Sequence, residues 1–242
     1  MSLVDSMNPN VLFGRVLGPL LFRKAQIVAA ADLSSHFRSL DLAGGDLCGT
    51  SSEPGDKVQV FLGSGGMRTY SPIGWDSSAG TMKLVVYIHG DGPGATFGKR
   101  AAPGDEVQFF GPRRSLSLSG SGSLPLIFFG DESSIGVLCA ATKAKAPAFS
   151  VLEVTDEAEV ASVLQALGIR AVLCVKKEPS DHHMPRVASA IRERLTGEPR
   201  AHLMMTGRAQ SIQALRGLLK VTGPIPPGKT KAYWSVGKRG LD

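Results

Sequence analysis

The pattern of apolar residues changes near residue 120, and this change constrains the fold more than any other feature. Before it, short alternating runs lie between turn residues, which is typical of antiparallel strands. After it, continuous apolar runs alternate with helix-like segments, which is typical of a parallel sheet covered by helices. A chain of 242 residues is long enough for two domains. We therefore predict a two-domain β + α/β protein, with an N-terminal antiparallel β-barrel followed by a parallel α/β domain.

Six segments of the first half are predicted strands because each is alternating or apolar and is bounded by turn residues. They are 24–30, 36–42, 57–62, 67–73, 82–89 and 106–110. Pro-Gly-Asp precedes two of them, at Pro54–Asp56 and Pro103–Asp105. Proline and glycine provide the φ values of a tight turn, and we expect the aspartate to bond the backbone beyond it. Six short strands with such turns predict a small barrel.

The second half alternates predicted strands with predicted helices. The strands are 124–129, 149–154, 171–175, 202–205 and 231–236, and the helices include 135–145, 185–195 and 209–219. Thr155 is the predicted N-cap of a further helix, whose apolar stripe has the spacing i, i+3, i+4, i+7. The serine- and glycine-rich stretch Ser115–Ser123 predicts a linker, which gives domains of 1–118 and 124–242.

The charge, aromatic content and cysteine content of the chain argue against several classes of binding partner. The net charge is +6 and aromatic residues make up 6% of the chain, but the basic residues form no block, so nucleic-acid binding is disfavoured. The sequence has no apolar run long enough to span a membrane, and we expect no signal peptide. Three dispersed cysteines predict neither a disulfide framework nor a metal cluster, and they favour the cytoplasm. We expect a monomer.

The segment Arg68-Thr69-Tyr70-Ser71-Pro72 combines a cation, an aromatic ring and a hydroxyl. Arg68 is suited to neutralise a pyrophosphate, and Tyr70 to pack on a flat ring system. Ser71, or its backbone N–H, is suited to donate a hydrogen bond to such a ring system. The alternative interpretation is a strand that ends in a turn.

The segment from His89 to Phe97, His-Gly-Asp-Gly-Pro-Gly-Ala-Thr-Phe, follows a predicted strand. A glycine-rich turn lets backbone N–H groups approach an anion closely, although a wide hairpin loop has a similar composition. We assign His89 no role in proton transfer. Together, and in this order, the two segments predict a site for a flavin dinucleotide.

Other motifs are weaker. Arg113-Arg114 indicates either a solvated basic turn or an anion contact, and adjacent His182 and His183 do not share a helix face as metal ligands would. No Gly-x-Gly-x-x-Gly follows a strand in the second half, and no Ser-His-Asp arrangement is convincing. In a parallel sheet, ligands bind beyond the carboxyl ends of the strands. Those ends carry Gly130-Asp131-Glu132 and Thr206-Gly207-Arg208.

Five landmarks in order resemble the siderophore-interacting proteins, flavin-dependent ferric-siderophore reductases of the ferredoxin-reductase-like superfamily. Arg68-Thr-Tyr-Ser is similar to the family's Arg-x-Tyr-Ser/Thr, and the segment from His89 to Gly98 is similar to His-Gly-x-Gly-Pro-Ala-Ser-x-Trp-Ala. Gly111-Pro-Arg-Arg-Ser, Gly130-Asp-Glu-Ser and Tyr233-Trp-Ser-Val-Gly resemble Gly-Pro-Arg-Gly-Ser, Gly-Asp-Glu-Thr and Tyr-Trp-Arg-x-Gly. The resemblance covers nearly the whole chain.

This resemblance implies an FAD-binding barrel and a nicotinamide domain that together pass electrons from NADPH or NADH, or from ferredoxin, to the iron of a ferric siderophore. The implied cofactor-binding residues are Arg68, Thr69, Tyr70, Ser71, His89, Gly90, Gly92, Gly94, Ala95, Thr96, Phe97, Asp131, Glu132, Ser133, Thr206, Gly207 and Arg208. The implied contacts to an anionic ferric siderophore are Arg114, Lys238 and Arg239. No metal site and no catalytic side chain are implied. Two alternatives stay open: a flavin reductase with a non-iron acceptor, and a flavin- or siderophore-binding protein without efficient turnover.

Four departures from the family pattern bear on function. Phe97 stands where the family has Trp, and Gly94-Ala95 stands for Ala-Ser, both in the flavin segment. Ser235 replaces the closing Arg, and Thr206-Gly-Arg208 stands for Ala-Gly-Glu. The last change reverses a charge beside the expected nicotinamide site. Because an arginine there suits the 2′-phosphate of NADP, Arg208 favours NADPH over NADH.

Overall fold

The computed structural model describes residues 22–116, 124–144 and 147–238. The chain divides into two compact units, Met1–Ser115 and Leu116–Asp242. Most of the predicted linker and the predicted siderophore contact Arg239 lie outside the described residues. The domain ranges 1–118 and 124–242, with the cofactor roles assigned to them, stay predictions.

The first unit contains a seven-stranded antiparallel sheet in the order β4-β3-β7-β1-β2-β6-β5. Its strands are β1 (Arg23–Asp32), β2 (Phe37–Ala43), β3 (Lys57–Phe61), β4 (Met67–Tyr70), β5 (Gly74–Asp76), β6 (Thr81–Tyr87) and β7 (Glu106–Arg113). The predicted antiparallel N-terminal sheet is confirmed, with β4 and β5 at its edges. The six predicted strands all form, and β5 is an additional strand of three residues, shorter than an alternating pattern needs to be recognised.

Both Pro-Gly-Asp turns form immediately before a strand, but the aspartates act differently from the prediction. Asp56 Oδ2 accepts from the backbone N–H of Glu53, and Asp105 Oδ2 accepts from that of Ala102, each at 2.9 Å. Each carboxylate therefore accepts a hydrogen bond from the residue three positions earlier in the chain, on the N-terminal side of the turn. The expectation that the aspartate would bond the backbone beyond the turn was wrong.

Helix α1 (Pro93–Arg100) replaces most of the loop that the sequence predicted after β6. Pro93 occupies the first helical position, where its fixed φ fits a helix and its missing N–H is not needed. Ala95 and Gly98 face the core of the first unit, whose apolar members include Val86 and Ile88. A Cβ on Gly98 would lie 2.8 Å from Ile88 Cγ1 and 2.9 Å from Val86 Cγ1, so this glycine allows the helix to pack against the end of β6.

The second unit contains a five-stranded parallel sheet in the order β10-β9-β8-β11-β12. Its strands are β8 (Leu126–Asp131), β9 (Phe149–Val154), β10 (Val172–Lys176), β11 (His202–Arg208) and β12 (Gly228–Trp234), and its helices are α2 (Ile135–Ala144), α3 (Glu157–Ala166), α4 (Met184–Gly197) and α5 (Ala209–Thr222). Every strand pairing is parallel. The predicted α/β architecture is thus confirmed.

Helices α4 and α5 pack their apolar stripes on the sheet. Val187, Ile191 and Leu195 of α4, together with Ile212 and Leu215 of α5, join the core around β8 and β11. The predicted N-cap of α3 was off by one residue: Asp156, not Thr155, is the N-cap, and its side chain accepts from the backbone N–H of Glu159. Both residue types cap well, so the pattern alone does not choose between them.

Within the described residues, no helix is long and apolar enough to cross a membrane.

Candidate functional site

The first sequence motif lies on the edge strand β4. Arg68 pairs in register with Val60 of β3, and Tyr70 with Val58. The Arg68 guanidinium donates through Nη1 to the carbonyl oxygens of Met67 and Gly65, at 2.8 and 3.3 Å. These two bonds orient the cation at the edge of the sheet.

The second motif supplies a helix N-terminus. Gly92 is the N-cap of α1, with no side-chain cap, and the N–H of Thr96 donates to its carbonyl at 3.0 Å. The helical pattern therefore leaves the N–H groups of Gly94 and Ala95 without an intrahelical acceptor. Such N–H groups and the helix dipole together attract anions. The first turn contains no acidic side chain that would oppose one.

The structure brings the two motifs into contact. A Cβ placed on Gly94 would lie 3.4 Å from Arg68 Cγ and 3.7 Å from the Tyr70 hydroxyl oxygen. A Cβ on Gly65, in the turn before β4, would lie 2.6 Å from Pro93 Cβ. The first turn of α1 therefore packs directly on the segment that carries Arg68. A larger side chain at residue 94 would fill the space beside this cation.

The aromatic members of the motifs are also neighbours. The rings of Tyr70 and Phe97 have centroids 6.2 Å apart at an interplanar angle of 47°. Burial raises the pKa of Tyr70 above its ordinary value, against a smaller opposing effect of Arg68. The phenol is therefore neutral at physiological pH and remains a hydrogen-bond donor beside the cation.

The remaining residues predicted for the flavin site lie in the same two segments of the chain. Thr69 and Ser71 are half-buried, Ala95 is buried and Thr96 is exposed. His89 is exposed, with its ring stacked on Tyr87 at 4.9 Å between centroids. Gly90 has a φ of 59°, a left-handed conformation that glycine adopts without strain, and it turns the chain from β6 towards α1.

At the carboxyl edge of the parallel sheet, Asp131 joins three strand ends. Its side chain is 1% exposed. Oδ1 accepts from the backbone N–H of Ser133 at 2.9 Å. Oδ2 accepts from the backbone N–H of Arg208 at 2.9 Å and from Trp234 Nε1 at 2.7 Å. The residues that follow β8, end β11 and end β12 are therefore tied to one carboxylate.

Burial raises the pKa of Asp131, because desolvation outweighs the opposing effects of Lys177 and of the donors Ser133 and Trp234. Gly207 has a φ of 100°, and a Cβ on it would lie 2.6 Å from Asp131 Cγ. The carboxylate thus requires glycine at this position. Thr206 is buried as well, and its hydroxyl donates to Ser134 Oγ at 2.8 Å.

Glu132 makes a second set of internal contacts. It is 3% exposed, its Oε1 accepts from the backbone N–H of Thr155 at 2.6 Å, and its Oε2 accepts from Lys177 Nζ at 2.5 Å. The Lys177 ammonium also lies 5.9 Å from the centroid of the Trp234 ring. The predicted cofactor residues Asp131, Glu132 and Ser133 are therefore engaged with the chain's own groups.

Arg208 lies at the end of β11 rather than beyond it. Its Nε donates to Ser211 Oγ at 2.6 Å, and its Nη2 forms an ion pair with Asp181. Among the residues described, Lys177, Asp181 and Trp234 are the members of this edge that sequence reasoning missed. A lysine directly after a strand was a usable signal for the first, whereas the Arg208–Asp181 pair joins residues that no periodic pattern connects.

The adjacent histidines have separate environments. His182 is exposed, while His183 is buried with Nε2 at 2.8 Å from Glu153 Oε2. His183 Nδ1 accepts from the backbone N–H of Glu178 at 3.2 Å, which leaves Nε2 as the nitrogen that donates to Glu153. The described residues contain no cluster of acidic, histidine and cysteine side chains that would hold a metal ion.

The residues predicted to meet a siderophore are surface residues where they are described. Arg114 and Lys238 are exposed. Arg113, its neighbour, belongs to β7, donates to Gln59 Oε1 at 3.2 Å and lies over the Phe110 ring. Ser235, which replaces the family's arginine, accepts from Gln210 Nε2 at 3.0 Å.

Known proteins resemble the chain in one segment of sequence and in overall fold. Residues 63–116, which carry both contacting motifs, match the siderophore-interacting FAD-binding domain family. No curated protein sequence matches the chain.

Solved structures extend the likeness to both units. The siderophore-interacting protein SipS from Aeromonas hydrophila has a TM-score of 0.71 at 18% identity, over 90% of this chain and 93% of its own. Phthalate dioxygenase reductase, described as modular for electron transfer from pyridine nucleotides to a 2Fe–2S group, has a TM-score of 0.69 at 16% identity, over 90% of this chain and 70% of its own.

Full-length CYP116B46 from Tepidiphilus thermophilus gives a TM-score of 0.69 at 17% identity, over 88% of this chain, which spans only 29% of that longer protein. At such identities the structures show a shared fold. The resemblance to the siderophore-interacting proteins is therefore confirmed by a family match over residues 63–116 and, over both units, by a shared fold.

Proposed function

We propose that the protein is an FAD-dependent ferric-siderophore reductase that takes electrons from a pyridine nucleotide or from ferredoxin. The observation that carries the proposal is the contact of Arg68 with Gly94 at the N-terminus of α1. An arginine next to a helix N-terminus that has no side-chain cap can bind the pyrophosphate of a dinucleotide, because both the guanidinium and the free backbone N–H groups attract anions. Their place in the segment that matches a siderophore-interacting FAD-binding domain supports the choice of FAD.

The chain's residues fit such a ligand. Arg68 and the free N–H groups of Gly94 and Ala95 would hold the pyrophosphate, and Gly94 leaves the space that a side chain would otherwise fill. Tyr70 offers a neutral phenol and an aromatic face to the ring system. The chemistry that a flavin supplies is the conversion of a two-electron hydride into single electrons.

The pyridine nucleotide is proposed to bind at the carboxyl edge of the parallel sheet, because ligands of such sheets bind beyond the strand ends. Arg208 is the cation that we assign to phosphate binding, since it ends β11 and its side chain is partly exposed, at 18%. Asp131, Glu132 and Ser133 have a different part in this proposal: they fix the strand ends on which the nucleotide would lie. We retain NADPH, NADH and ferredoxin as the candidate donors.

The proposed electron acceptor is Fe(III) in an oxygen-rich siderophore. Such ligands hold Fe(III) more tightly than Fe(II), so reduction would release the iron, and each hydride carries electrons for two ferric ions. Exposed Arg114 and Lys238, with Arg239, would attract an anionic ferric complex. Three unpaired thiols fit a reducing cytoplasm as the place of this reaction.

A binding protein with slow turnover is the second candidate. It is favoured by the internal pairing at the sheet edge, where Arg208 is paired with Asp181 and Lys177 with Glu132. A flavin reductase with a non-iron acceptor would carry out the same first step, the reduction of the flavin by its electron donor, and would differ only in the acceptor.

A two-stage anaerobic stopped-flow experiment separates these candidates. The FAD-loaded protein is mixed with NADPH, with NADH or with reduced ferredoxin, and then with a ferric siderophore. A reductase for siderophores bleaches in the first stage and recovers oxidised-flavin absorbance in the second, with Fe(II) trapped by a chelator. Bleaching without recovery on the ferric complex would assign the protein to the flavin reductases. No bleaching by any of the donors would assign it to the binding proteins.

A further inference from the structure

Arg208 is held by two partners on its own side of the sheet. Its Nε donates to Ser211 Oγ at 2.6 Å, and its Nη2 is paired with Asp181 Oδ1. Ser211 is fully buried, whereas the Arg208 and Asp181 side chains are 18% and 32% exposed. The guanidinium is therefore fixed in direction, on a side chain that is still partly exposed.

Asp181 reaches Arg208 from a distant strand. It ends the short turn Pro179–Asp181 after β10, and β10 is separated from β11 in the sheet by β9 and β8. The ion pair therefore joins two strand ends at the carboxyl edge, where a parallel sheet binds its nucleotide.

The turn that presents Asp181 is anchored. Ser180 and Asp181 have φ values of 54° and 61°, the left-handed conformation that Asp and Asn tolerate better than most residues. At its start, the backbone N–H of Glu178 donates to His183 Nδ1 at 3.2 Å, and His183 Nε2 lies 2.8 Å from the buried Glu153. These hydrogen bonds hold the turn in place, and the turn in turn fixes the position of the Asp181 carboxylate.

We infer that Asp181 sets the choice between donors with and without a 2′-phosphate, by occupying the guanidinium that such a phosphate would need. This inference rests on the proposed binding of a pyridine nucleotide at the sheet edge. A carboxylate and a phosphate compete for the same N–H donors of an arginine, and the carboxylate also repels the phosphate. In the wild-type protein, a 2′-phosphate on the donor therefore raises the binding affinity by less than it would if Arg208 were unpaired. Asp181 is thus the residue that determines donor specificity.

The test is calorimetric titration of the full-length, FAD-saturated protein with adenosine 2′,5′-bisphosphate and with adenosine 5′-monophosphate. The readout is the ratio of the two affinities, which does not depend on turnover. We expect Asp181→Asn to raise the preference for the 2′-phosphorylated ligand about tenfold, equivalent to about 1.4 kcal/mol. Asparagine keeps the size of the side chain and tolerates a positive φ, so the turn should survive.

Two further variants complete the test. Asp156→Asn removes the same charge at the end of a neighbouring strand, at a helix N-cap that asparagine also serves, and it should leave the ratio unchanged. Asp181→Asn combined with Arg208→Gln should abolish the gain, because the gain is assigned to the released guanidinium.

Each outcome has one meaning. If both ligands bind and Asp181→Asn leaves their ratio at the wild-type value, the inference is overturned and the proposed donor site stands. A gain that persists without Arg208, or an equal gain in Asp156→Asn, also overturns it. If neither ligand binds to the wild type or to Asp181→Asn, the inference and the donor site both fail. The flavin absorbance spectrum reports separately on the FAD site.

Discussion

The Arg68 side chain lies against Gly94, with its Cγ 3.4 Å from the position that a Cβ on residue 94 would take. This relationship joins two sequence motifs that are about twenty residues apart. It places a cation beside a helix N-terminus, and the proposed FAD site depends on it.

Replacement of Arg68 by alanine should weaken FAD binding. Loss of a charge-assisted hydrogen bond costs about 1.5–3 kcal/mol, which is roughly tenfold to more than a hundredfold in affinity. FAD dissociation constants from fluorescence titration measure the effect. Arg100→Ala serves as the control, because it removes an exposed arginine from the last turn of α1. Equal FAD affinities for Arg68→Ala and the wild type would remove Arg68 from the site.

Replacement of Gly94 by leucine should separate flavin binding from folding. The backbone of Gly94 is helical, so a leucine there removes the helix penalty of glycine, about 1 kcal/mol. The new side chain would occupy the space beside Arg68 and Tyr70. We expect at least a tenfold loss of FAD affinity with no loss of stability of the apoprotein. Normal FAD binding by this variant would show that the space is not used.

Gly98→Ala, on the same helix, should reduce the stability of the apoprotein, in contrast to Gly94→Leu. Its Cβ would lie 2.8 Å from Ile88 Cγ1, and overpacking of this kind costs about 1–3 kcal/mol. Denaturant unfolding of the apoprotein should therefore show a loss of stability. A stability equal to that of wild type would mean that α1 shifts away from β6 without cost.

Replacement of Asp131 by alanine should destabilise the second unit. The change leaves the backbone N–H groups of Ser133 and Arg208 and the Trp234 indole without their acceptor. A buried donor left unpaired costs about 1–3 kcal/mol; because these three hydrogen bonds are only partly buried, we expect a total loss of about 1–3 kcal/mol. Tryptophan fluorescence during urea unfolding measures it. Asp131→Asn, which keeps one acceptor oxygen, should lose less than Asp131→Ala; the reverse order would contradict the assigned hydrogen bonds.

The free energy of unfolding should depend on pH in part through the titration of Asp131. Burial raises its pKa in the folded state above the unfolded value of about 4. Between these two pKa values the folded state holds a proton that the unfolded state has released, so the contribution of Asp131 falls as the pH rises through that window. The difference in unfolding free energy between wild type and Asp131→Asn should therefore shift against the wild type as pH increases from about 4. A difference that does not change with pH would contradict the raised pKa.

Reversal of two charges near the C-terminus should slow flavin oxidation by an anionic ferric siderophore. The variant is Lys238→Glu with Arg239→Glu, and the loss should shrink with salt because the Debye length falls from about 10 Å at 0.1 M to about 3 Å at 1 M. Arg216→Glu with Lys220→Glu, an equal charge change at two exposed positions of α5, should have a smaller effect. A rate that is unchanged and insensitive to salt would remove these residues from the docking site.

The fold was largely predictable from the sequence, because period-2 and continuous apolar runs distinguish the two sheets. Helix α1 was not predicted, since Gly92-Pro93-Gly94 is typical of a turn; the helix forms because Pro93 suits its first position and Ala95 and Gly98 pack on the core. The two motifs of the proposed FAD site were identified in the sequence, whereas the contact between them is known only from the structure.

The second site was less predictable. The acidic residues Asp131 and Glu132, at the end of β8, were expected to face a cofactor, yet both are buried in hydrogen bonds to other strand ends. Those partners, and the pairing of Arg208 with Asp181, are set by the order of strands in the sheet rather than by local pattern.

FAD titration of the purified, flavin-free wild-type protein tests the central claim most directly. The account predicts saturable binding of one FAD per chain, with a shifted flavin spectrum, and a weaker complex in Arg68→Ala but not in Arg100→Ala. Failure of the folded wild-type protein to bind FAD, with folding verified by circular dichroism, would contradict the account.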